Sequence, residues 1–139
     1  MRMMHKDFIS VLPYRQLDAQ WNTCCKIVKK FYKKGDVNDA IVKRFKNYNI
    51  GHLLLYATLV FDELSKHRNN LNFHKFFKWY SKLNLSREEI PSYENLFQDW
   101  HNERYAKQTY YILQEKFDND LLSKEEWTPI EEKFKNRFG

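Results

Sequence analysis

The chain has 139 residues, with 24 Lys+Arg against 18 Asp+Glu and a net charge of +6. That length suffices for one domain with a real core, and the basic balance favours polyanionic partners: nucleic acid, nucleotides or an anionic surface. Only three Gly and three Pro nearly exclude a glycine-rich phosphate loop, and hairpin signals are missing, so sheet is not expected.

Residues 1–11 read as short, mixed and extended or irregular. Ser10 is a candidate cap for the helix that enters through Leu12-Pro13, where proline's missing N–H costs nothing. From there to Lys34, Leu17, Trp21, Cys24, Val28 and Phe31 recur at steps of three and four and make one apolar stripe. Arg15, Asn22, Lys26, Lys29 or Lys30, and Lys33 fall on another face, and Gly35 is a candidate closing residue. A second, short helix is expected over Asp36–Asn47, with Val37, Ile41 and Phe45 inward and Lys43, Arg44 and Lys46 outward. Ile50–Lys66 is apolar nearly all round and reads as the central helix. Leu71–Leu83 follows the Asn69-Asn70 break as an aromatic helix. Its stripe is Phe73, Phe76, Phe77, Tyr80 and Leu83, with Lys75, Lys78 and Lys82 opposite. Asn84–Asp99 reads as loop with one short turn near Ser92. Trp100–Phe117 returns to helical spacing. Ser123-x-x-Glu126 is a capping-box pattern opening a last helix through Phe134. The expected fold is an all-α, compact single-domain helical bundle over residues 1–139.

The chemistry of common sites is missing. His5, His52, His67, His74 and His101 show no zinc-ligand spacing with the cysteines, so no metal and no cofactor is expected. Cys24 and Cys25 are adjacent, point about 100° apart on a helix, and read as small buried apolar groups in a reducing compartment. No apolar run reaches membrane-spanning length and no signal-peptide core opens the chain. A soluble, cytoplasmic protein is the expectation, with the oligomeric state left open.

The first quarter of the chain points further. Met1-Arg2-Met3-Met4-His5, followed by Leu12-Pro13-x-x-Gln16-Leu17-x-x-Gln20-Trp21-Asn22-Thr23-Cys24-Cys25, resembles the pyrimidine-dimer DNA glycosylase family of the phage endonuclease V type. Relatives start Met-Arg-Leu-Trp-His and carry Leu-Pro-x-x-Gln-Leu-x-x-Gln-x-Arg-Glu-Cys-Cys. His52–Leu64 looks like the family's central helix; the C-terminal half agrees mainly in helical pattern. The resemblance implies a compact all-α fold and a reaction in which the N-terminal α-amine attacks C1′ of a damaged nucleotide. An imine forms, the base leaves, and a lyase step breaks the strand. An α-amine, with a reference pKa of about 7.7–8.0, has a neutral fraction near pH 7.

Carried over by position, Met1 supplies the candidate amine, retained because Arg2 behind it is bulky. Arg2, Gln16 and Gln20 match motif residues. Lys26 falls where the family presents a phosphate contact, and Lys30 continues the basic ridge. Two positions depart: Asn22 stands for the motif arginine and Thr23 for the catalytic glutamate. Thr23 cannot act as a carboxylate. Asp7 and Asp18 are the neighbours that would have to substitute for it. Met4 replaces the motif tryptophan.

The expectation is therefore a nucleic-acid- or nucleotide-binding protein on this scaffold, with glycosylase chemistry weak or absent. One variant is a small phage-type protein that sequesters a nucleotide, with Arg2, Lys26 and Trp21 or Tyr14 clamping phosphate and base. The alternatives are an active glycosylase/lyase working through the Met1 amine, and a protein-binding module that uses the aromatic helix Leu71–Leu83.

Overall fold

The computed structural model describes residues 2–33, 40–45, 47–83 and 90–139, of which 40–42 by backbone alone. Among the described residues it is helical throughout, with no strand. A 3-10 helix over Lys6–Val11 leads into α1 (Tyr14–Lys33), α2 (Ala40–Phe45), α3 (Gly51–Ser65), α4 (His74–Ser81), α5 (Glu103–Asp118) and α6 (Lys124–Phe138). α1 lies against α3 and α4, α5 pairs with α6, and the 3-10 helix bridges α3 and α6. No described helix is long and apolar enough to cross a membrane.

The spacing along α1 places its faces as expected. Leu17, Trp21, Cys24 and Val28 are buried and Phe31 packs on the core, while Arg15, Lys26, Lys29 and Lys33 are exposed. The Pro13 carbonyl accepts the first helical bond, from the Leu17 N–H at 2.9 Å. Both cysteines are buried and free. In α3, Leu53, Tyr56, Ala57, Val60 and Leu64 are all fully buried, which makes it the central helix.

Several expectations need correction. Residues 6–11 are a 3-10 helix, and Ser10 is an exposed member of it. The His5 ring accepts the Asp7 N–H and so caps that helix. Distant partners fix it, as described below, and local pattern alone does not reveal them. The fourth helix is shorter than its aromatic stripe. It starts at His74 because the Asn72 side chain accepts the His74 N–H in a local turn that competes with helix. Phe77, assigned to the stripe, is 44% exposed, and only Phe76 is fully buried. Phe73, Tyr80 and Leu83 still pack on the core, so most of this face is used internally and a protein-binding role for it loses support. α5 begins at Glu103 with Asn102 as its cap, not at Trp100, and α6 continues past Phe134 to Phe138. Lys34, Gly35, Asp36, Val37 and Lys46 lie outside the described residues.

The Ser123–Glu126 capping box forms in full, each side chain bonded to the other's backbone N–H. The segment before α5 carries an aromatic hub. Phe97 is fully buried with φ +50 and touches Phe45, Tyr48, His52, Tyr56, Trp100 and His101. A left-handed conformation is unfavourable for a bulky residue, and the surrounding rings hold it there.

Candidate nucleic-acid interface

The geometry starts at Gln20. It is one turn before Thr23 on α1 and buried, and its amide is engaged at both ends. Oε1 accepts the Met4 N–H at 3.0 Å, and Nε2 donates to the Arg2 carbonyl at 2.9 Å. The buried Tyr56 hydroxyl lies 2.8 Å from the Met4 carbonyl and 2.9 Å from Gln20 Oε1, so one proton serves two acceptors. Gln20 is thus an internal clamp that fixes the backbone of residues 2–4 against α1. Met1, the candidate amine, lies outside the described residues. Arg2 itself is exposed.

His5 and His101 extend the anchorage. His5 Nε2 donates to the His101 carbonyl at 2.9 Å, and the Lys6 N–H donates to His101 Nδ1 at 2.9 Å. Burial lowers His5 to about 4, against the opposing pull of its bond to the His101 carbonyl, and lowers His101 to about 2. Both are neutral at pH 7. The Lys6 ammonium is capped by the carbonyls of Tyr93, Glu94 and Leu96 at 2.6, 3.3 and 2.9 Å. Tyr105 donates its hydroxyl to the Met3 carbonyl. Burial raises its pKa, and the nearby Arg2 and Arg44 cations oppose that rise. Arg44 also sits over the Trp100 ring at 5.5 Å. Two guanidiniums therefore border the anchored N-terminal stretch.

Thr23 is buried, and its hydroxyl donates to the Ala19 carbonyl at 2.9 Å within its own helix. The two acids expected as substitutes for a carboxylate there are held elsewhere. Asp7 accepts from Tyr93 and pairs with Arg137. Asp18 lies 3.5 Å from Arg68, about 140° around α1 from Thr23.

The remaining motif residues divide. Gln16, Thr23 and Lys30 are seven apart, so they fall within about 20° of one line along α1. Gln16 is half-buried and, with Arg15, faces a cavity of about 610 Å3 beside the α5–α6 turn. Asn22 and Lys26 instead face a groove between α1 and α4 of about 460 Å3. Cys25, Lys29, Lys75, Lys78 and Trp79 complete its lining, with no carboxylate among the described residues. Lys75 donates to the Asn22 side-chain oxygen at 3.0 Å. Burial pushes the Cys25 thiol to about 11 despite nearby Lys75, so at neutral pH it is a protonated wall group and no nucleophile. Trp21, considered as a stacking ring, is 4% exposed and belongs to the core. Tyr14 is exposed, and its hydroxyl takes a bond from Arg68 at 3.2 Å. Trp79 and its ring of lysines were not foreseen. The signal was the pattern Lys75-x-x-Lys78-Trp79-x-x-Lys82, an aromatic interleaved with cations.

A model of the pyrimidine dimer DNA glycosylase family matches residues 1–78, more than half of the chain. The chain belongs to that family. No curated protein and no solved structure matches it. The family match spans the N-terminal stretch, α1, α3 and most of α4. The helical architecture accords with a glycosylase-like scaffold of this DNA-repair family. Of the groups that seat the N-terminal stretch of this glycosylase relative, Gln20 and Tyr56 lie within the match, whereas Tyr93, His101, Tyr105 and Thr109 lie beyond it.

Proposed function

We propose that this chain binds DNA along the polar side of α1 and has lost most of the cleavage chemistry of its family. What carries the reading is the surroundings of Thr23. A hydroxyl bonded to its own helix stands where the family places its glutamate, and the nearest candidate acids, Asp7 and Asp18, are paired with arginines. Among the described residues, neither Thr23 nor these paired acids is placed to hold the proton or to steady an imine cation. The cations persist: Arg2 and Arg44 border the N-terminal stretch, and Lys26 and Lys30 stand on α1 beside Thr23. Phosphate contacts of this kind position a nucleic acid and make its binding salt-dependent. A free phosphate-bearing nucleotide would use the same cations, and phage-type sequestration would be one use of such binding. Duplex DNA is the reading adopted, on the strength of the family.

Borohydride trapping on duplexes that carry a pyrimidine dimer or an abasic site tests this. The native chain is expected to bind duplex, with log K falling against log salt at a slope near about −4 for four to five phosphate contacts. It should give no covalent adduct through the Met1 amine. The double variant Asn22→Arg/Thr23→Glu should gain a trappable adduct. A native adduct that forms readily would establish the active glycosylase/lyase instead. Nucleotide binding without duplex binding would replace DNA as the ligand.

A further inference from the structure

The groove between α1 and α4 has an organisation that the preceding reading does not use. The two helices run side by side in the same direction, as three contacts in register show. Asn22 meets Lys75, Lys29 meets Trp79, and Tyr32 meets both Trp79 and Lys82. Lys26, Lys29 and Lys33 therefore form one row, and Lys75, Lys78 and Lys82 a second row alongside. Each row spans seven residues, about 10 Å at 1.5 Å per residue.

Between the rows sits Trp79, half-buried and paired with the exposed Tyr32 ring at 5.3 Å. Four ammonium groups surround its indole: Lys29 at 5.5 Å, Lys33 at 6.0 Å, Lys78 at 5.2 Å and Lys82 at 4.9 Å. Cations gathered this closely around one ring repel one another, and a polyanion entering between them relieves that repulsion.

We infer that the α1–α4 groove takes an unpaired DNA strand, with successive phosphates on the two lysine rows and a base against Trp79. The length of the rows selects a strand over a single nucleotide. A single phosphate cannot meet cations spread over about 10 Å, whereas the phosphates repeated along a strand can. The position of the indole selects unpaired bases. A base within a duplex hides its faces against its neighbours, whereas an aromatic ring between lysines is the standard platform for single strands. The inference shares with the proposed function the premise that polyanions dock on α1, and with it Lys26, but it turns on Trp79 and the lysines around it, which that reading does not use.

The test is fluorescence anisotropy with a labelled oligothymidine at several salt concentrations. Trp79→Ala should weaken binding about ten-fold or more, as expected for one lost stacked base, with the salt slope unchanged. Trp79→Phe, which keeps a ring and the packing, should restore most of the affinity. Lys29→Gln/Lys78→Gln should lower the magnitude of the slope by about 1.4, at about 0.7 per single-strand phosphate contact. The inference is overturned if Trp79→Ala binds like the native chain. It is also overturned if inorganic polyphosphate of equal charge competes as well as the oligonucleotide, or if thymidine monophosphate binds as tightly. Duplex binding is measured in parallel with Arg2→Gln/Lys30→Gln. Duplex binding unchanged in that variant, with Trp79-dependent oligothymidine binding intact, would count against the proposed function alone; duplex binding lost there while oligothymidine binding ignores Trp79 would count against the groove alone.

Discussion

Gln20 shows how a single side chain decides where a segment of backbone lies. Its amide holds the Arg2 carbonyl and the Met4 N–H, and it shares the Tyr56 proton. Gln20→Leu would leave a buried N–H without a partner, at a cost of about 1–3 kcal/mol, and would force a branched side chain into a polar slot. An overall loss of about 2–4 kcal/mol in chemical denaturation is expected, with faster amide exchange at Met4. An unchanged exchange rate at Met4 would rule the clamp out. The sequence showed Gln20 as a motif residue but did not show its direction. At about 160° around α1 from Asn22, it lies on the border of the apolar stripe, where a glutamine fits a ligand or the interior equally well. Trp21 posed the same choice, and its place in the stripe was the better guide. Trp79 went unread because a period search sorts aromatic residues into core faces, and this one stands among the lysines.

Among the helices, what was legible was what is local. The capping box of α6 follows from Ser123 and Glu126 alone, and both of its bonds form. The turn before it depends on backbone conformation. Asp120, at φ +61, follows α5, with its N–H bonded to the Phe117 carbonyl and that of Leu121 to the Lys116 carbonyl. That pair of bonds is a Schellman ending, in which glycine is the favoured residue at the left-handed position. Asp120→Gly is therefore expected to stabilise the chain by about 0.5–1 kcal/mol, read as a higher Tm. A lower Tm would mean that the carboxylate contributes more than its backbone strain costs. The 3-10 helix is the opposite case. Its six residues carry no periodic signal, and the bonds that shape it come from His101, Tyr93 and Arg137. No local window contains those partners.

For the molecule as a whole, the buried histidines set the acid limit. His5 and His101 titrate at about 4 and about 2 when folded, against about 6.5 in an unfolded chain. Above pH 6.5 neither state binds the protons, so these groups leave stability unchanged. Below it the unfolded chain takes up protons that the folded one refuses. Stability then falls with pH, by up to about 1.4 kcal/mol per unit for each histidine. Urea midpoints should be level from pH 8 to 7 and decline steadily from pH 6 to 4.5; a midpoint constant across that lower range would contradict the burial of the pair. The bonds around these histidines also bear on how the polypeptide is made. The His5 N–H rests on the Thr109 hydroxyl, the Lys6 N–H on His101, and Asp7 on Arg137. On a ribosome, then, residues 5–7 must wait for residues 101–137 before they can settle. A fragment ending at Lys78, where the family signature stops, would keep Gln20 and Tyr56 yet lack His101, Thr109 and Arg137, the partners of residues 5–7.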